Sequence, residues 1–184
     1  KKVEIDNNKL DRISDYISRI NIVLFNPDDL NIIGGPPSIR RRLLNIEISQ
    51  IEKEYLFLLN DYEKVLKNRN SYLKELYLNG NGSKEYLDIL TNKLIEIGLK
   101  INKYRGDYLK EINEYISKIY QNIFETGNLT IKYVSNFNNK SQEQLFKDYT
   151  KNYSKEMAFG KTLTGIHHDD IEFLLDGNKL REWG

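Results

Sequence analysis

Two hydrophobic periods alternate along the chain. Val3 and Ile5 alternate with polar neighbours, and Asn7-Asn8 suits a tight turn because Asn tolerates positive φ, so residues 1–12 predict a short hairpin. Ile20-Asn21-Ile22-Val23-Leu24-Phe25 is an almost continuous apolar run, which predicts a strand buried on both faces. Asn26-Pro27-Asp28-Asp29 turns the chain and Gly34-Gly35-Pro36-Pro37 breaks it again. Pro37-Ser38-Ile39 then reads as the first turn of a helix bearing Arg40, Arg41 and Arg42.

From Gln50 the period lengthens. Ile51, Tyr55, Leu58, Tyr62, Val65, Arg69, Tyr72 and Leu76 are spaced alternately by four and three, a coiled-coil seam reinforced by Leu59, Leu66 and Leu73. Asn79-Gly80-Asn81-Gly82 ends this helix, and Ser83 is a good N-cap for the next. The second helix keeps the spacing through Leu94, Gly98, Ile101, Arg105, Tyr108, Ile112, Tyr115 and Ile119, and ends near Thr126-Gly127. It should run about 40 residues, or roughly 60 Å at 1.5 Å per residue. Two long helices joined by a short Gly/Asn turn must lie antiparallel, so the middle of the chain predicts a helical arm. Leu129–Val134 returns to period two, Ser141 to about Phe159 reads as an amphipathic helix, and Ile171–Leu175, a turn at Asp176-Gly177-Asn178, and Leu180–Trp183 read as a second hairpin.

Composition narrows the function classes. With 28 basic and 27 acidic residues the formal charge is +1, which argues against a dedicated, strongly basic nucleic-acid module while leaving room for local basic patches. The absence of Cys excludes disulfides and Cys-ligated metal, and fits a reducing cytoplasm. No apolar run approaches the ~20 residues of a membrane span, and no signal peptide is visible. The one Met, Met157, is internal, and the sequence opens on Lys1-Lys2 and stops at Trp183-Gly184, so an internal piece of a larger protein is expected. A bias toward Asn, Ile, Lys and Tyr with a single Ala points to an A+T-rich bacterial gene, because Ala is the best helix former and physics would not purge it.

Several residues could carry chemistry. Arg40, Arg41 and Arg42 could hold the phosphate of a nucleotide or of DNA, or form a solvated helix face. Arg69 and Arg105 occupy seam positions that call for apolar side chains, and a charge there needs a partner, so both are read as arm-internal pairs bridging the two helices through a carboxylate. Asp28 and Asp29 directly follow a buried strand, where carboxylates in α/β ATPases meet metal or nucleotide. His167-His168-Asp169-Asp170 invites a metal reading, but adjacent His on a strand would face opposite ways and the chain has no other His, so no metal site is assigned. Gly160-Lys161-Thr162 echoes the end of a phosphate loop but lacks the earlier Gly and the preceding strand.

Taken in order, several stretches resemble the RecF family of bacterial DNA replication and repair proteins. Phe25-Asn26-Pro27-Asp28-Asp29-Leu30, then Gly35, Pro37, Arg40-Arg41 and Leu44, is similar to that family's Phe-Ser-Pro-Glu-Asp-Leu followed by Gly-x-Pro-x-x-Arg-Arg. Tyr62, Val65-Leu66, Arg69-Asn70 and Leu73-Lys74 resemble its first arm helix, and Leu94, Gly98, Ile101 and Arg105 its second. Thr162, Gly165, His167, Asp169 and Asp170 resemble Thr-x-x-Gly-Pro-His-Arg-Asp-Asp. Asn26, Asp28, Asn45, Leu90, Ile166 and His168 depart from the family's Ser, Glu, Asp, Trp, Pro and Arg.

The resemblance implies an ATPase related to the structural-maintenance-of-chromosomes group and the ABC ATPases. Its head would bind ATP with magnesium and form an ATP-dependent homodimer. It would bind DNA at gapped junctions and work with RecO and RecR in loading RecA. It also implies that the phosphate loop precedes this stretch and that the signature motif and second acidic motif follow it. The chain alone is then expected to hold no cofactor and to be no enzyme, its parent being a weak DNA-dependent ATPase. The expected fold is α+β: a long antiparallel helical hairpin inserted in antiparallel strands of an ABC/SMC-like ATPase head lobe. Residues 1–45 would give head-side strands and the Arg-bearing helix, 46–127 the arm, and 128–184 a strand, a helix and a hairpin returning to the head. The alternative is a coiled-coil scaffold without nucleotide chemistry, its seam binding partner helices. A sister ATPase acting in another process is a third reading.

Overall fold

Two long antiparallel helices dominate the computed structural model, which describes residues 4–5, 8–9, 31–80 and 82–180. The predicted strand at 20–25, Asp28 and Asp29, and residues 181–184 of the second hairpin lie outside the described residues. Near the start, β1 (Glu4–Ile5) pairs antiparallel with β2 (Asn8–Lys9), so Asn8 belongs to the second strand rather than to the turn. A short helix α1 (Asn31–Gly34) leads into α2 (Pro37–Ile51), whose first position is the Pro that helix starts favour.

Glu52 is extended, and α3 (Lys53–Asn79) begins directly after it. This break corrects the expected seam: Ile51 closes α2 and is 60 % exposed, and the buried row starts at Tyr55. Gly80 ends α3 in the left-handed conformation, and the Ser83 hydroxyl accepts from the Tyr86 N–H to open α4 (Lys84–Phe124). At 41 residues, α4 outruns the 27 of α3. Its last turns reach the sheet, where the Asn113 amide bonds both main-chain groups of Ile131, at 2.8 and 2.7 Å.

That sheet has the order β3-β4-β5. β3 (Leu129–Val134) runs antiparallel to β4 (Asp170–Leu175) in unbroken register from Leu129↔Leu175 to Val134↔Asp170. β4 turns through Asp176-Gly177 into β5 (Asn178–Lys179), so Asn178 is a strand residue and the turn is one residue shorter than the sequence suggests. Between β3 and β4, α5 (Gln142–Phe159) starts on a capping box made by Ser141 and Gln144. The chain is thus mostly helical with a small antiparallel sheet. No helix among the described residues is long and apolar enough to cross a membrane.

One core runs through all the larger elements. Tyr55, Tyr62 and Leu73 of α3 and Leu94 and Ile101 of α4 meet Phe137, Leu145 and Tyr149. Each buried aliphatic side chain contributes roughly 1.5–3 kcal/mol of transfer free energy. Gly98 marks the closest approach: a Cβ there would lie 2.7 Å from the Phe137 ring, so only Gly lets α4 press against it. Along the seam, α3 and α4 pack against this chain's own α5 through Leu145, Tyr149 and Tyr153. Beyond it, Tyr115 and Ile119, predicted as seam positions, are 57 % exposed each.

Candidate functional site

The segment from Thr162 to Asp170 threads between the arm, α5 and α2, and polar side chains from each element fasten it. It makes a short 3₁₀ turn at Ile166–His168, not a strand. Gly165 precedes this turn at φ 134, a region essentially closed to other residues, and a Cβ there would meet the Tyr62 and Tyr149 hydroxyls at 2.5 and 2.8 Å.

Two buried arginines hold the segment's ends. Arg69 is fully buried; its Nη2 donates to Glu156 Oε2 at 2.6 Å, its Nη1 to the Thr162 hydroxyl at 2.6 Å, and its Nε to the Thr91 hydroxyl at 3.0 Å. Its guanidinium also lies over the rings of Tyr149 and Tyr153, at 5.1 and 5.6 Å, which adds cation–π attraction. Glu156 returns its other oxygen to the Leu163 N–H at 2.8 Å. Arg105, also buried, donates to Asp169 Oδ2 and the Ile166 carbonyl at 2.8 Å each, to the Tyr55 hydroxyl at 3.0 Å and to Asn45 Oδ1 at 3.1 Å. The Tyr133 hydroxyl donates to the same Asp169 oxygen. Burial pushes the Asp169 carboxyl up, while the Tyr133 and Arg105 hydrogen bonds pull it down. The carboxylate partners Glu156 and Asp169 lie outside the helical hairpin, so the ion pairs tie the arm to α5 and to the segment, while the Arg69–Thr91 and Arg105–Tyr55 bonds join the two arm helices.

The three consecutive arginines of α2 have different positions, because successive residues of a helix point about 100° apart. Arg40 is 2 % exposed and grips Asp170 with two parallel bonds of 2.6 and 2.9 Å, while its remaining nitrogen reaches the Gly35 and Ile32 carbonyls. It clamps α2 to β4. Arg41 is half-buried and donates to the Asp169 carbonyl at 2.8 Å. Arg42 is exposed and makes no ion pair among the described residues.

His167 packs inside and His168 lies exposed, with ring centroids 4.2 Å apart. The His167 Nε2 is 3.3 Å from the Thr162 carbonyl and must carry the proton, so Nδ1 accepts from the Tyr62 hydroxyl at 2.9 Å. Among the described residues no group of His, Cys, Asp and Glu is placed to hold a metal ion. Burial, then the neighbouring His168, lowers the His167 pKa to about 4. A His depressed in the native state contributes stability that is present above its unfolded pKa of about 6.5 and lost as pH falls toward the folded value. Between pH 7 and pH 5 the chain should lose about 2 kcal/mol of unfolding free energy through this residue. Urea titrations at the two pH values test this, and His167→Asn should flatten the dependence; an unchanged slope in that variant would assign it to other groups.

No family model matches the chain. A DNA replication and repair protein RecF from Ligilactobacillus salivarius is 35 % identical over 192 residues, covering 100 % of this chain and 51 % of the relative. A protein of the same name from an Exiguobacterium species is 38 % identical over the same shares. A solved structure of the recombination mediator protein RecF-ATP in the RecFOR pathway superposes with a TM-score of 0.90 at 32 % identity, over 100 % of this chain and 50 % of that one. Along its whole length, this chain belongs to the RecF family. It spans about half the length of the curated relatives it matches.

Within this RecF-family chain, the residues that match the family's last motif are those that fasten the segment. Thr162 meets Arg69, Gly165 makes the bend, His167 meets Tyr62, Asp169 meets Arg105 and Asp170 meets Arg40. Glu156, Tyr55, Tyr62 and Tyr133 escaped the sequence reading as polar partners, since each looks like an ordinary helix or strand residue. The one available signal was the misfit of Arg69 and Arg105 in an apolar seam.

Proposed function

We propose that this chain serves, within a RecF-length protein, ATP-dependent DNA binding in recombinational repair. The observation that carries the reading is whole-chain similarity to RecF proteins at 35–38 % identity, together with the 0.90 match to RecF-ATP. The finer parts of the proposal follow the family: gapped duplex DNA as target, an ATP-dependent homodimer, RecR and RecO as partners in loading RecA, and cytoplasmic location. In this reading Asp28 or Asp29 reaches magnesium and the terminal phosphate of ATP. The chain's own part is to carry a rigid arm and to present α2 beside the head. The polar segment at 162–170 serves as structure, which agrees with its having a protein partner at each matched residue.

DNA affinity comes mainly from neutralised phosphates and shows as a salt slope. Arg42 is the arginine of the triplet proposed to neutralise one. In the RecF-length protein, Arg42→Ala should weaken duplex binding uniformly across sequences and reduce the salt slope by about 1. Its melting temperature should not change. An unaltered slope, with binding intact, would move the DNA surface away from α2.

A further inference from the structure

A cleft of about 570 Å³ opens between α2 and α3, with Arg105 and its partners Asn45 and Ile166 on its inner wall. Its surface is chiefly apolar, and Ile46, Leu56, Leu59, Leu66 and Ile166 supply the aliphatic side chains. Arg41 and Arg42 also line it from α2, and Glu63 from α3. Ile46 is 47 % exposed, so the apolar lining is open to solvent.

The charges around Arg41 do not balance. Three guanidinium groups, of Arg40, Arg41 and Arg105, share two carboxylates. Arg40 takes both oxygens of Asp170, and Arg105 with Tyr133 takes Oδ2 of Asp169, whose buried Oδ1 has no hydrogen-bond partner among the described residues. Arg41 donates only to the uncharged Asp169 carbonyl among the described residues. One positive charge is therefore in excess at a half-buried side chain that lines the cleft. Burial, followed by the nearby Arg105 charge, disfavours the Arg41 cation, which an incoming anion would relieve.

We propose that this cleft docks a peptide segment of a protein partner, in which large apolar side chains sit beside an Asp or Glu that pairs with Arg41. Aliphatic lining and excess positive charge together select this class. A phosphodiester backbone would satisfy the charge but leave five aliphatic side chains facing polar groups. A purely apolar segment would leave Arg41 without its anion at the moment water is excluded. Nothing in this proposal depends on nucleotide chemistry or on the DNA contact assigned to Arg42.

The test is fluorescence anisotropy of the full chain with three labelled amphipathic peptides. One is built from Asp, Leu and Phe; the second replaces its Asp by Lys; the third replaces its Leu and Phe by Ser. The first should bind at least ~10-fold more tightly than either control, the scale of an anchoring contact. Arg41→Glu should reverse the preference toward the Lys peptide. Ile46→Asp, at an exposed position, should weaken the Asp peptide ~10-fold with helicity unchanged by circular dichroism. Equal binding of all three peptides would overturn the proposal, as would acidic-peptide binding that survives both substitutions. Displacement of the peptide by a short DNA duplex in the Arg42→Ala chain, which lacks the proposed DNA contact at the cleft's edge, would give the cleft to nucleic acid. Concentration-dependent dimerisation abolished by Ile46→Asp, without peptide binding, would give it to a second copy. Either result overturns the proposal.

Discussion

Arg105→Ala should destabilise the chain by about 3–5 kcal/mol, the usual loss when one member of a buried ion pair is removed. The guanidinium is 1 % exposed and joins groups of α2, α3 and the 162–170 segment. Its removal leaves the Asp169 carboxylate, 2 % exposed, with the Tyr133 hydroxyl alone, and leaves the Ile166 carbonyl only the longer 3.4 Å bond from the Asp169 N–H. It also leaves a void where a long side chain stood, which adds to the loss. Arg105→Lys keeps the charge but not the planar fork, and should fall between wild type and Ala. Equilibrium unfolding in urea, followed by helicity, measures all three. A loss below about 1 kcal/mol for the Ala variant would show that solvent or a neighbour replaces the fork, and the hub would not be structural.

Glu156→Ala should have a comparable effect, about 3–5 kcal/mol, through Arg69. Both members of this pair are 0 % exposed, and they meet at 2.6 Å. Ala would strand the cation in the core and free the Leu163 N–H at the same time. Arg69→Met alone should be similarly costly, because it strands the carboxylate. The double variant Arg69→Met with Glu156→Leu should be distinctly less costly than the sum of the singles, since it leaves no buried charge behind. Additive losses in that double-mutant cycle would mean that the two side chains act through separate contacts.

The sequence made some of this legible and hid the rest for definable reasons. The arm could be read because its four-three spacing persists over many turns and its ends carry strong signals, Gly80 and Ser83. Arg69 and Arg105 stood out as charges in an apolar row. Their partners did not, because Glu156 is 87 residues from Arg69 and Asp169 is 64 from Arg105, and no local spacing links them. Arg40 and Arg42 look alike in sequence; only packing of α2 against β4 makes one a clamp and leaves the other in water. The two His would face opposite ways on a strand, whereas after Gly165 they sit in a 3₁₀ turn with ring centroids 4.2 Å apart, which no local spacing announces. The family pattern told which residues belong together in this segment but not that they do so by tying it to the arm. Asn45, where the family carries Asp, still accepts from Arg105 and from Tyr55, so an amide oxygen serves where a carboxylate is usual.

The proposed function requires that a RecF-length protein containing this chain bind DNA in an ATP-dependent way. The most direct test is the affinity of a RecF-length protein containing it for a labelled gapped duplex, titrated at fixed ionic strength with ATP and magnesium and again without nucleotide. Binding at least ~10-fold tighter with ATP is expected, accompanied by a doubling of protein mass in sedimentation. Equal affinity in both conditions, with a mass that ATP does not change, would contradict it.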